Sequence, residues 1–205
     1  IAAIHGNIGT VFYEKEEYLQ SIEYLERAIQ LSQDDNTSEN RGIFIGNKGR
    51  SLIQLGKTNE GFQLLKNAVE ICDEHQTFAA GAFRGDIAVL LSKHGKTEAA
   101  LRLIETAENQ LRDHIEQYGK FLCCKAEVLF RAHQHQGIRE VLLKVESICR
   151  DLRATRSSGI RKELLKVQQF IPPQTWLTDS EIADRTFKAD VIFRWGRLEE
   201  YSIHY

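Results

Sequence analysis

Methionine is absent from the 205 residues, and the chain opens on Ile1, so a piece of a longer protein is expected. Proline occurs only as the adjacent pair Pro172-Pro173, leaving the 171 residues before it free of proline, as an all-α chain would be. Four cysteines are too sparse for a disulfide scaffold and suit a reducing compartment, from which a cytoplasmic location is expected. No apolar run approaches the length of a membrane span and no signal-peptide pattern is present, so no membrane association is expected. The net charge of −2 supplies no field to attract nucleic acid, which is not expected as a partner.

One spelling recurs at nearly constant spacing. Gly6-Asn7-Ile8-Gly9, Gly46-Asn47-Lys48-Gly49 and Gly85-Asp86-Ile87-Ala88 are followed by a degenerate copy, Cys123-Cys124-Lys125-Ala126. The offsets are 40, 39 and 38 residues, and Ala28, Ala68, Ala107 and Val145 each stand nineteen residues after the fourth letter of a copy. A period of this length is the mark of a repeat array. Within copy one, Ile4, Ile8, Val11 and Phe12 fall at helical spacing, a charged break follows, and Tyr18, Ile22, Leu25, Ala28 and Ile29 mark a second helix. Copies two and three repeat this around turns at Gly56 and Gly95, and copy four does so around His133-Gln134-His135-Gln136. Gly9, Gly49, Ala88 and Ala126 are expected where each first helix meets its own second helix; Ala28, Ala68 and Ala107 are expected against the next repeat.

Ile8-Gly9, Phe12, Tyr18, Leu25 and Ala28, with the glycine turns and alanine-based second helices of copies two and three, resemble the tetratricopeptide repeat. The long period is similar to that of kinesin light chain, of Pins-type polarity adaptors and of arrays appended to bacterial signalling proteins. The resemblance implies an all-α, right-handed solenoid of helix-turn-helix units over residues 1–152, divided near 1–40, 41–79, 80–117 and 118–152. Beyond it, Ser157-Ser158 would cap a helix with Ile160, Leu164, Leu165 and Val167 buried, closing the solenoid end within 153–171. Thr178-Asp179-Ser180-Glu181 is a capping box that would open a helix in the tail, 172–205, with Ile182, Phe187, Val191, Ile192, Trp195 and Leu198 on its apolar side.

Several motifs suggest chemistry and have plainer readings. Gly-Lys-Thr at 56–58 and 95–97 lacks the glycine five residues earlier that a phosphate loop needs; a helix-ending glycine followed by a capping threonine is expected instead. Cys123 and His133 lie ten helical residues apart, about 15 Å, too far to share one tetrahedral metal. No metal, cofactor or catalytic residue is expected, and the protein reads as a non-enzyme. Arg150, Arg153 and Arg156, with Arg161, Lys162 and Lys166, read as a solvated basic face, with an acidic partner segment as the alternative.

The resemblance further implies a concave groove, lined by first helices, that holds an extended or helical peptide. The asparagine two residues before the small contact residue would point into it, which selects Asn7, Asn47 and, by conservative match, Asp86. Helical geometry adds positions on the same face, and the groove set becomes Asn7, Tyr13, Asn47, Arg50, Asp86, Lys93, Glu127, Phe130 and Arg131. The expected function is a protein-protein interaction module or scaffold binding a partner peptide or helix. The alternative is a sensory or autoinhibitory segment of a larger signalling protein, its own tail helix occupying the groove. Self-association through uncapped solenoid ends is also open.

Overall fold

The computed structural model describes residues 1–32 and 40–185, which are helical and contain no strand. Helices α1 (Ala2–Glu14) and α2 (Tyr18–Leu31) form the first pair, α3 (Arg41–Gln54) and α4 (Thr58–His75) the second, α5 (Thr77–Lys93) and α6 (Thr97–Leu111) the third, α7 (Ile115–Arg131) and α8 (Ile138–Asp151) the fourth. Each pair packs internally and against the next, giving an all-α repeat solenoid. Helix α9 (Gly159–Phe170) follows, then a 3-10 turn at Pro173–Thr175 and a helical segment over 179–185.

The second helices repeat one buried stripe. Ser21, Leu25, Ala28 and Ser32 recur as Gly61, Leu65, Ala68 and Cys72, then Ala100, Ile104, Ala107 and Leu111, then Ile138, Leu142, Val145 and Cys149. The spacing of four, three and four residues keeps one face inward, and polar residues on the others define the amphipathic pattern. Among the described residues the core divides into three clusters, which grow from Leu25, Ala28 and Phe44 at the first pair to an extended cluster around α7, α8 and α9.

Small residues sit where helices approach. A Cβ on Gly9 would stand 2.7 Å from Leu25 Cγ, and one on Gly49 would stand 2.9 Å from the Gly61 carbonyl, both in the partner helix of the same pair. The first glycine of each spelling has a separate role that the sequence reading did not assign. Gly6 receives the ring of Phe44, Gly46 that of Phe83 and Gly85 that of Phe121, so each copy seats an aromatic of the next. Between the first two pairs, Ser21 and Ser51, both fully buried, share a hydroxyl hydrogen bond of 2.8 Å.

The turns correct one expectation. Gly56 and Gly95 do end helices, with φ of +81° and +74° that favour glycine. Thr58 and Thr97, however, are the first residues of α4 and α6, and no side-chain bond caps either helix. Nor does Ser158 cap α9 with its hydroxyl, which donates back to the Thr155 carbonyl at 2.7 Å. The Thr178 capping box is formed: the Thr178 amide donates to Glu181 Oε2 at 2.8 Å, and the Glu181 amide to Thr178 Oγ1 at 3.4 Å.

Leu165, expected in the buried stripe of α9, is instead exposed, as are two apolar residues of α1. Ile4 and Val11 are 61% and 51% exposed, because no described helix packs on that face of α1, and Leu165 is 43% exposed beside the buried stripe of Ile160, Leu164, Val167 and Ile171. Of the expected tail helix, Phe187, Val191, Ile192, Trp195 and Leu198 lie outside the described residues.

Candidate functional site: the concave face

The first helices bring seven of the nine candidate residues into two groups, with Asn7 exposed apart from them on α1 and Tyr13 at the edge of the first. In the first group, Asn47 Nδ2 donates to Thr10 Oγ1 at 3.2 Å and Asn47 Oδ1 accepts from Arg50 at 3.4 Å. Arg50 Nε in turn donates to Asp86 Oδ2 at 2.6 Å, with the guanidinium 4.8 Å above the Phe83 ring. One polar chain thus crosses three consecutive repeats. The Arg50 and Asp86 side chains keep 28% and 26% of their surface exposed, so the pair is largely withdrawn from water.

Burial raises the Asp86 carboxyl above its ordinary value, against the opposing pull of Arg50. Burial would lower Arg50, but Asp86 and then Tyr13 outweigh it and keep the guanidinium charged. Tyr13 closes this group on the α1 side, its ring 5.7 Å from that of Tyr18. Burial pushes the Tyr13 phenol well above its usual value, so it stands as a neutral donor.

In the second group, Glu127 Oε1 accepts from Arg131 Nε at 3.0 Å and lies 3.6 Å from Lys93 Nζ. Phe130 meets the edge of Phe170 at 5.3 Å between centroids, and the Arg131 guanidinium lies 4.5 Å from the centre of the same ring. Cys124 stands within electrostatic reach of both Asp86 and Glu127, and its thiol is held protonated by burial.

Helix α9 contributes a row to this face that the sequence reading missed. It packs mainly on α7, as α7 packs on α5, and presents Glu163 and Phe170 to the candidate residues. The available signal was the polar series Lys162, Glu163 and Lys166 beside the buried stripe, but the repeat spelling is absent there. The segment over 179–185 then turns away from the concave face. Arg139 of α8 bonds the Trp176 carbonyl at 2.9 Å and Glu181 at 2.7 Å, and Arg185 pairs with Glu146 of α8 at 2.9 Å. Second helices begin at Tyr18, Thr58, Thr97 and Ile138, and 179 continues that series. Helix α9 and this segment therefore stand as a fifth, degenerate pair.

Of the other candidates, Cys72, Cys123 and Cys149 are buried free thiols, with Cys72 pushed up to about 11 by burial. Among the described residues, no cluster of three or more His, Cys, Asp or Glu could hold a metal, and no helix is long and apolar enough to cross a membrane.

The tetratricopeptide repeat family model matches residues 2–35, the first helix pair. No curated protein sequence matches the chain. Among solved structures, the nearly identical TPR-like repeats of a protein described as a kinesin light chain in Podosopora anserina share 15% identity, with a TM-score of 0.55. That alignment covers 99% of this chain and 96% of the other, and a second structure of these repeats gives 16% and 0.54, covering 98% and 96%. BtubC (BKLC) from P. vanneervenii aligns over 75% of this chain and 65% of its own, at 13% identity and a TM-score of 0.57. At these identities the likeness is one of fold. The match in the first helix pair and the fold of the whole agree: residues 2–35 are similar to a tetratricopeptide repeat, and the described array has the α-solenoid fold seen in kinesin-light-chain TPR-like repeats.

Proposed function

We propose that this chain is a non-catalytic interaction module that takes a peptide or helix of a partner protein on its concave face. Repeat arrays of this type are generally protein-interaction modules, because stacking creates extended concave surfaces. The observation that carries the reading is the second group: Lys93, Glu127, Phe130 and Arg131 gather with Phe170 around half-exposed aromatic and arginine surface. Aromatic and arginine side chains are the types that dominate interface energetics. Asn7, Asn47, Arg50, Asp86 and Tyr13 extend the same face toward the first pair, offering hydrogen-bonding groups to a peptide backbone. The start of the tail lies on α8, so a groove-filling tail has no support among the described residues.

The geometry also guides the test. Arg50 and Asn47 hold neighbouring repeats together, so changing them confuses binding with folding; Asn7 and Lys93 can be changed with less structural consequence, while Phe130 packs against the C-terminal core and its variant is read beside a folding control. A displayed peptide library would be selected on the full chain, and the affinities of recovered peptides measured by calorimetry. Asn7→Ala, Lys93→Glu and Phe130→Ala should each weaken binding by about tenfold or more, roughly 1.4 kcal/mol. Peptides bound equally by all three variants would place the binding surface elsewhere and overturn the assignment.

A further inference from the structure

Helix α1 meets α9, the first and last of helices α1 to α9. Lys162 of α9 donates to the backbone carbonyl of Glu14, in the last turn of α1, at 2.7 Å across 148 residues of sequence. Lys120 of α7 lies 3.6 Å from the Glu14 carboxylate while also pairing with Glu116 at 3.1 Å. The start of α9 fits closely into this corner. A Cβ on Gly159 would come 2.6 Å from Lys120 Nζ and 3.4 Å from Glu14 Oε1. Lys166 stands within electrostatic reach of Glu16 and Tyr18 beside it.

This seam differs from every seam between consecutive pairs. Those bury apolar stripes, whereas the core cluster at the first pair (Leu25, Ala28 and Phe44) and the C-terminal cluster do not join across it among the described residues. What spans the gap is charge near water: the Glu14 side chain is 51% exposed and that of Lys120 31%. Exposed pairs of this kind are individually weak and are screened by salt.

We propose that Glu14, Lys120 and Lys162 form an electrostatic clasp that joins α1 to α7 and α9 across the solenoid, and that its release widens the concave face. The closure itself is independent of what the concave face binds. Its consequence for access rests on the peptide-binding reading above. A partner that brings acidic groups to Lys120 and Lys162, or a rise in ionic strength, would open the array without disturbing any buried stripe.

The test is a distance measurement by pulsed electron resonance on the full chain. Nitroxides are attached through p-acetylphenylalanine at Gln20 of α2 and Gln169 of α9, both exposed, which leaves the native cysteines untouched. The wild type should give a narrow distribution at low salt that lengthens and broadens at about 1 M, where the screening length falls to about 3 Å. Glu14→Lys should be long at low salt, and the charge swap with Lys120→Glu should restore the short distance. Lys162→Ala, which removes one hydrogen bond and no core contact, should lengthen it in part and covers the case of a poorly folded Glu14 variant.

One unchanged distribution across salt and all variants would overturn the clasp. Selected peptides that bind wild type and Glu14→Lys equally, while the distance lengthens, would refute concave-face access and leave the clasp standing. Lost peptide binding at an unchanged distance would support the binding face and refute the clasp.

Discussion

At the scale of single residues, the two uses of glycine in the repeat spelling separate cleanly. Alanine is favoured over glycine by about 1 kcal/mol inside a helix, so a Gly→Ala change helps unless its Cβ strikes something rigid. At Gly46 that something is the Phe83 ring, itself buried, whereas at Gly85 the nearest atom, Phe121 Cδ2, is 3.2 Å away. Gly46→Ala should therefore destabilise by about 1–3 kcal/mol, an overpacking cost. Gly85→Ala should fall within about 1 kcal/mol of wild type, where propensity offsets a slight shift of Phe121. Chemical denaturation of the two variants side by side checks this, and equal losses would show that the ring seat is not what discriminates them. The Arg50–Asp86 pair offers a second residue-scale test. Removing either partner leaves the other poorly solvated, so a double-mutant cycle between Arg50→Ala and Asp86→Ala should return a coupling of about 1 kcal/mol or more. A coupling near zero would mean that solvent substitutes for the missing partner.

At the scale of helices, α9 is bound through Ile160, Leu164, Val167 and Ile171, all buried against the last repeat. Leu164→Ala should cost about 2–5 kcal/mol by leaving a cavity in the largest core cluster. A loss below about 1 kcal/mol, read from thermal or denaturant unfolding, would show α9 to be a loose appendage. How far these elements were legible in the sequence depends on what the information consists of. Helix pairs are a matter of period, and Gly9, Leu25, Ala28 and their equivalents disclose it without any knowledge of packing. The fifth pair was hidden because its first helix lacks the Gly-Asn spelling and Pro172-Pro173 lengthens its turn. The candidate face was legible as a list of positions but not as an arrangement. That Asn47, Arg50 and Asp86 bond one another depends on the rise between repeats, a tertiary quantity that no local pattern encodes. Ile4 and Val11 mark a related limit: helical spacing shows that a face is apolar, not whether anything covers it.

At the scale of the whole molecule, the uneven core implies uneven stability. Repeat arrays gain stability from each unit and from its interface with the next, and here the first pair contributes the smallest cluster. Amide hydrogen exchange should therefore be fastest through α1 and α2 and slowest through α7 and α8, with the difference visible under native conditions. Uniform protection along the array would contradict that gradient. Acid should act on the whole array in a definite direction. Hydrogen bonding to Arg84 lowers Asp73; burial raises Glu108, but Lys125 outweighs it; hydrogen bonding to Arg139 lowers Glu181. A lowered folded value means stability that is present above the ordinary carboxylate range and lost as pH falls through the folded value. Asp86, raised by burial, has the opposite sign and favours the folded state on protonation. With three carboxylates against one, the denaturation midpoint should fall as pH drops below about 4, and Asp73→Asn should flatten the slope. A midpoint that rises instead would show Asp86 to dominate.

The polar chain from Thr10 through Asn47 and Arg50 to Asp86 lies along the inner side of the array. Because its links run from one repeat to the next, their combined length is a ruler for the inner circumference of the solenoid, while apolar stripes set the outer one. Bending is the difference between the two. Any guest that competes for Arg50 or Asn47 must therefore alter the curvature of the array as it binds, so that shape itself becomes a report of occupancy.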